Sequence, residues 1–264
     1  MSTLIGISGQ AKAGKDTTAD YLVSEYGFVK FSLADHIKRF GSIVFDFTEE
    51  QLWGPSKYRN KPDRRYTDAT DYAWNLAYAQ IINARHMSWL LDTLTGLPPG
   101  SDLNLGTHNW YLRQWFDTLR EQHPKLTPRV MLQTLGTEWG RQKIDNDLWV
   151  NHSMRTIKKI LNGQKYTQQQ GLMDTIVDKP TGVVVPDVRF LNEFLAVEHT
   201  DGHLWRIKRP ETDSQANTTG ISGHSSEMEQ QDIADEEFDV ILVNDDTYAA
   251  LYEAVDIAVS TLIK

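Results

Sequence analysis

Apolar and polar positions alternate between two periods along the first forty residues. Thr3 to Ser8 (TLIGIS) is a short, β-branched apolar run and predicts a strand. Gly9 to Gly14 is bounded by glycines and predicts a loop, and Thr17 to Tyr26 carries its apolar residues at helical spacing. Phe28 to Leu33 predicts a second strand, followed by a short helix through Asp35, Ile37 and Phe40. Strands separated by helices imply a parallel sheet with right-handed crossovers. Gly182 to Val185 (GVVV) is the clearest buried-strand pattern in the chain, followed by a helix through Phe190, Phe194 and Val197. Further strands are predicted at His203 to Lys208 and Phe238 to Val243, and a closing amphipathic helix at Tyr248 to Leu262.

Between about Phe45 and Leu126 the strand patterns vanish. Seven of the eight tryptophans (Trp53, Trp74, Trp89, Trp110, Trp115, Trp139, Trp149) lie between Phe45 and Val150. This stretch predicts a mostly helical insertion, approximately residues 45–160, interrupted by the loop Gly96 to Gly106, with its aromatics chiefly in a core. Arg129 to Gln142 predicts one helix and Trp149 to Leu161 another, while Asn162 to Pro180 is a polar connection of no clear period. Arg209 to Glu237 is nearly devoid of large apolar residues and is placed like a lid loop. The fold class expected is α/β: a three-layer α/β/α arrangement with a parallel sheet, as a single domain spanning 1–264.

Composition narrows the function. The 264 residues carry 27 basic and 36 acidic side chains, a formal net charge of −9, which disfavours general nucleic-acid binding. No cysteine is present, so disulfides, thiolate metal sites and a cysteine nucleophile are excluded. No stretch approaches the ~20 apolar residues that span a bilayer, and Met1-Ser2-Thr3 does not open a secretory signal. A cytoplasmic protein without membrane partners is expected.

The segment Gly9-Gln10-Ala11-Lys12-Ala13-Gly14-Lys15-Asp16-Thr17 carries the chemistry. Its glycines let successive backbone N–H groups of the loop, including those of Lys12 and Ala13, point into one concavity. The following helix presents its positive end, and Lys15 adds a charge, so the whole forms a nest for the β- and γ-phosphates of a nucleotide. The residue after the lysine is normally a Ser or Thr that ligates Mg²⁺; here it is Asp16. Thr17 lies about 100° further round a helix and does not share that vector. A carboxylate at Asp16 suits Mg²⁺, a hard cation, and without the metal it would repel a triphosphate. Its other reading is charge complementing the helix dipole.

Asp187 ends the strongest strand, where ligands collect in open α/β sheets, with Arg189 two residues on and Glu193 beyond. Asp187 could instead cap the helix that follows. Arg129, Gln133 and Thr137 lie four apart on one predicted helix face, with Gly136 beside them. An arginine there can grip a phosphate bidentately, and a glutamine can read a base edge.

Taken together, GQAKAGKDTTADYL at Gly9 to Leu22, LADHIK at Leu33 to Lys38, RVMLQTLGTEWGR at Arg129 to Arg141, DLWV at Asp147 to Val150, PDVRFLNE at Pro186 to Glu193, HSSE at His224 to Glu227 and LVNDDT at Leu242 to Thr247 resemble a known family. It is that of the bacteriophage deoxynucleoside monophosphate kinases, a branch of the P-loop nucleoside monophosphate kinases. The blocks run in order over almost the whole chain. The resemblance implies transfer of the ATP γ-phosphate to a 2′-deoxynucleoside 5′-monophosphate (dNMP), with Mg²⁺, a homodimer and, for a phage-encoded protein, the host cytoplasm. Carried over, it implies Lys15, Asp16, Thr17 and Thr18 for the donor and metal site, the metal falling to Asp16 and Thr17. It implies Lys38, Arg129, Gln133, Gly136, Thr137 and Trp149 for the acceptor pocket, and Asp187, Arg189 and Glu193 for the reacting phosphates or acceptor sugar. Family members can carry a second basic residue where this chain has Val130.

Phosphoryl transfer needs in-line alignment and cations around the transferring group rather than covalent chemistry. Lys15, Mg²⁺ and Arg189 are the expected cations, with Arg129 on the acceptor phosphate. Asp187 is not needed as a general base, because the acceptor oxygen is already ionised. The competing readings are a P-loop kinase for another small molecule, such as a dephosphorylated cofactor, and a switch that binds ATP without catalysis.

Overall fold

The computed structural model describes residues 3–67, 70–83, 85–170, 173–210 and 233–262. Most of the predicted lid, residues 211–232, lies outside that set, and so does the block His224 to Glu227. The described chain divides into two compact units: one of residues 3–33, 156–210 and 233–262, and one of Ala34–Arg155.

The first unit is built on five parallel strands in the order β2-β5-β1-β6-β7. These are β1 (Thr3–Ser8), β2 (Phe28–Lys30), β5 (Gly182–Val185), β6 (His203–Lys208) and β7 (Val240–Val243). β1 is central, with Thr3 paired to Gly182 of β5 and Ile5 to His203 of β6. Strand alternation sends its side chains to both faces. Ile5 and Ile7 pack with Ala19 and Leu22 of α1 (Lys15–Tyr26) and with Val255 and Val259 of α11 (Tyr248–Leu262). On the other face, the space over Gly6 is filled by Val197 of α10 (Leu191–Glu198), together with Val188 and Leu204. Helix, sheet and helix make three layers, and a strand buried on both faces is why β1 and β5 read as unbroken apolar runs. The polar connection Asn162 to Pro180 contains an antiparallel hairpin, β3 (Tyr166–Gln170) and β4 (Met173–Val177).

The second unit is helical. Its principal elements are α2 (Asp35–Phe45), α5 (Tyr72–Ile82), α6 (Met87–Thr93), α7 (Leu105–Gln122), α8 (Pro128–Thr134) and the start of α9 (Leu148–Leu161); α3 (Glu49–Leu52) and α4 (Ser56–Arg59) are single turns. Five of the seven tryptophans in the stretch, Trp74, Trp89, Trp115, Trp139 and Trp149, are buried in one core with Phe40, Phe45 and Phe116. Edge-on and tilted ring pairs run through it, such as Trp89 with Trp139 at 5.8 Å.

The helix predicted over Arg129 to Gln142 is two helices end to end. α8 starts on a Thr127 cap, whose hydroxyl accepts the Val130 N–H, with Pro128 in the first turn. From Leu135 to Ile144 the chain winds as a π-helix, closed by Asp145 N–H donating to Gly140 O at 2.9 Å. The α-helical spacing of Arg129, Gln133 and Thr137 therefore holds only as far as Thr134. Within this turn Gly140 meets the Trp149 indole so closely that a Cβ there would collide with the ring. No helix among the described residues is long and apolar enough to cross a membrane.

Candidate functional site

The loop between β1 and α1 has the backbone that its glycines allow. Gly9 and Gly14 take φ of 146° and 112°, and Lys12 takes 68°, the left-handed region that an ordinary residue enters at a cost of about 1–2 kcal/mol. Gly9 passes against the backbone of Ile207 in β6, and a Cβ at Gly14 would lie 2.6 Å from Asn244 Nδ2, so both positions demand glycine twice over. Gly14 caps α1 without any side-chain hydrogen bond, which leaves the first-turn N–H groups available to an anion.

Lys15 folds back over this loop. Its ammonium donates to the carbonyls of Gly9 and Gln10. Burial pushes its pKa down to about 8, with the Arg189 guanidinium adding to the effect while Asp16 and Asp187 oppose it. A desolvated cation held by two carbonyls is poised to exchange them for phosphate oxygens, which would return its charge to favourable surroundings. Two buried hydroxyls, Ser8 Oγ at the end of β1 and Thr18 Oγ1 in α1, make no hydrogen bond. Such atoms are expected to find a partner when buried, and a ligand or its water would supply one.

Asp16 is 81% exposed and pairs with Lys30 at 2.9 Å, a lysine that also holds Asp20 at 3.0 Å. The repulsion that Asp16 would exert on a triphosphate is thus offset by a neighbour that sequence reasoning missed. Asp16, Thr17 and Thr18 together offer carboxylate and hydroxyl oxygens, the hard donors that suit Mg²⁺.

Asp187 does not cap the helix after β5. Its carboxylate accepts from Ser32 Oγ at 2.6 Å and from the Leu33 N–H at 3.1 Å, tying the end of β5 to the segment after β2. The cap comes from Glu193, which is buried and accepts the N–H groups of Arg189 at 2.7 Å and Phe190 at 3.1 Å. Glu193 thereby orients the backbone that carries Arg189. Asp16, Asp187 and Arg189 are each close enough to act electrostatically on Lys15.

The predicted acceptor residues Lys38, Arg129, Gln133, Gly136, Thr137 and Trp149 all stand in the helical unit. Arg129 Nε donates to Asn60 Oδ1 after α4. Lys38 pairs with Asp35 at 3.0 Å, and that carboxylate also accepts the Trp53 indole N–H at 2.9 Å. Trp149 is buried, and its indole N–H donates to Gly136 O at 2.8 Å. Its polar edge is committed to the π-helix, and Gly136 lies against Ile37 of α2. Gln133 and Thr137 are both half-buried.

Asn244 was singled out by no chemical pattern, although it stands in the block Leu242 to Thr247. Its position directly after an apolar strand at the same sheet edge was the available signal. It is buried beside the loop, where its amide donates to Ala13 O at 2.8 Å.

The model of the deoxynucleotide monophosphate kinase family matches residues 3–255. A protein of Acanthamoeba polyphaga mimivirus, provisionally named a deoxynucleotide monophosphate kinase, is 26% identical over 258 residues, covering 96% of this chain and 93% of the relative. The deoxynucleoside-5′-monophosphate kinase of Escherichia phage T5 is 25% identical over 218 residues, covering 77% of this chain and 74% of the relative.

Proposed function

Because the chain belongs to the deoxynucleotide monophosphate kinase family, we propose that it transfers the γ-phosphate of ATP to a 2′-deoxynucleoside 5′-monophosphate, giving the diphosphate and ADP. Membership makes it a phosphotransferase that uses a nucleotide phosphate donor. The observation that carries the finer reading is Lys15, a desolvated cation folded onto the carbonyls of a glycine-bounded loop at a helix N-terminus.

In this reading the β- and γ-phosphates displace those carbonyls from Lys15 and take up the first-turn N–H groups of α1. Arg189, set by the Glu193 cap, supplies a second positive charge to the transferring group. Asp16 and Thr17, with Thr18 beside them, would hold Mg²⁺, which when bound neutralises phosphate charge. Asp187 holds Ser32 and Leu33 in place and takes no proton, since the acceptor oxygen is already ionised. Arg129 would hold the acceptor phosphate, with Lys38, Gln133, Gly136 and Thr137 around the nucleotide and Trp149 supporting them from the core. A homodimer belongs to the same proposal, checked by light scattering.

The deciding experiment is turnover with magnesium–ATP and, separately, each of the four deoxy- and four ribonucleoside monophosphates. Phosphorylation of at least one deoxynucleotide that disappears in Lys15→Ala is expected. Magnesium–ATP binding without transfer to any of the eight would refute the reading.

A further inference from the structure

Beside Trp149, whose ring lies 6.2 Å from that of His36, two histidines and a carboxylate of the helical unit converge. His36 stands on α2, Asp92 on α6 and His152 on α9. Both histidines are buried, while Asp92 is 59% exposed. His36 Nδ1 and His152 Nε2 each lie 3.8 Å from Asp92 Oδ2, and the three atoms lie within 4.8 Å of one another.

The hydrogen bonds around the cluster settle which nitrogens carry protons. Thr93 Oγ1 gives its single proton to Trp89 O at 2.7 Å, so it accepts from His36 Nε2 at 2.6 Å. His36 Nε2 is therefore protonated, and in the neutral ring Nδ1 carries a lone pair. His152 Nδ1 faces the Asp92 backbone carbonyl at 3.2 Å. Its other neighbour, Thr95 Oγ1 at 3.5 Å, has already donated to that same carbonyl at 2.6 Å. His152 Nδ1 is thus the protonated nitrogen, and its lone pair is on Nε2.

Two lone-pair nitrogens and a carboxylate oxygen consequently lie within 4.8 Å of one another with neither ring proton between them. Three acceptors brought together repel unless a cation or a proton donor lies among them. An ion equidistant from the three atoms and in their plane would lie no more than about 2.5 Å from each, and zinc takes ~2.0–2.2 Å to imidazole nitrogen and carboxylate oxygen. The exposed Asp92 side chain has the freedom to close that gap. Each imidazole already spends its remote N–H on an oxygen acceptor, the outer-shell bond that orients metal-bound histidines.

We propose that His36 Nδ1, His152 Nε2 and Asp92 form a binding site for a divalent transition cation of the zinc class, with water completing its coordination on the exposed side of Asp92. Imidazole donors exclude Mg²⁺ as the preferred occupant and favour Zn²⁺, Co²⁺ or Ni²⁺. Binding joins α2, α6 and α9 of the helical unit, so the ion orders the fold and takes no part in phosphoryl transfer. The site stands whether or not the chain phosphorylates deoxynucleotides.

The test is calorimetry and thermal melting of the full chain after chelator treatment, titrated with Zn²⁺ and separately with Mg²⁺. One tight equivalent of Zn²⁺ that raises the melting temperature is expected, with no matching effect of Mg²⁺. Asp92→Asn, at an exposed position that folds without strain, should weaken that equivalent at least tenfold, and His152→Gln should do the same. Loading with Co²⁺ should give a visible absorption that both variants lose. Absence of a tight Zn²⁺ equivalent would overturn the proposal. So would an equal affinity in Asp92→Asn and the unaltered chain, which would place the ion at other histidines.

Discussion

The side-chain amide of Asn244 donates to the carbonyl of Ala13 at 2.8 Å, joining residues 231 positions apart in the chain. The backbone N–H of Asn244 in turn donates to Lys208 O at 2.8 Å, so the asparagine is anchored to the sheet and fastens the loop to it. Few constraints bear more directly on a phosphate nest, whose N–H groups bind an anion only while they point the same way.

Asn244→Ala should therefore raise the KM for ATP several-fold while costing about 1–2 kcal/mol of stability, the scale of one lost buried hydrogen bond. Asn244→Asp should be worse, because an ionised carboxylate both repels Ala13 O and adds negative charge beside the phosphates. Steady-state kinetics on both variants, with melting curves, check the order. Equal KM values for the two would remove the charge argument.

ATP affinity should depend on pH through Lys15. In the free protein its pKa lies at about 8, chiefly because it is buried. Bound phosphate favours the charged form and raises that value. Binding then takes up a proton between the two values, so affinity is flat below pH 8 and falls as pH rises beyond it, by up to about tenfold per unit. Calorimetry at pH 7, 8.5 and 9.5, in buffers of different ionisation enthalpy, reads both the affinity and the proton. A constant affinity over that range would contradict the assignment of Lys15.

Glu193→Ala removes the acceptor for the Arg189 and Phe190 N–H groups. Arg189 then loses its fixed backbone, and the expected signature is a lower kcat with little change in the KM for ATP. Glu193→Gln keeps an oxygen acceptor at the same reach and should recover much of the rate. If the two variants are equally impaired, the carboxylate charge matters more than the cap.

Gly140→Ala forces a methyl group into the Trp149 ring. Overpacking of this kind costs typically about 1–3 kcal/mol, and here the strain would fall on the indole bond to Gly136 as well. Denaturant unfolding measures the loss, and tryptophan fluorescence reports the displaced ring. An unchanged midpoint would mean that the π-helix yields easily.

The strands of the parallel sheet and the phosphate loop were legible from the sequence alone, whereas the hairpin of β3 and β4 was not. β1, β5, β6 and α11 run over the same residues that their apolar patterns predict, and the loop between Gly9 and Lys15 follows from glycine placement. These are local matters: side-chain period and backbone freedom act over a few residues, so the residues themselves record them. The aromatic-rich stretch likewise declared itself a core. What tertiary structure alone decided lies between distant segments. The π winding over Leu135–Ile144 is where a regular helix pattern meets Trp149, a contact invisible to periodicity. Which carboxylate caps α10 was settled by backbone geometry, Glu193 serving where Asp187 had been a candidate. Asn244 beneath the loop, Lys30 beside Asp16, and His36 with Asp92 and His152 each join residues whose separation in sequence carries no signal. Hydrogen bonds and shared lone pairs depend on distances of about 3 Å in space, and only the folded chain sets those.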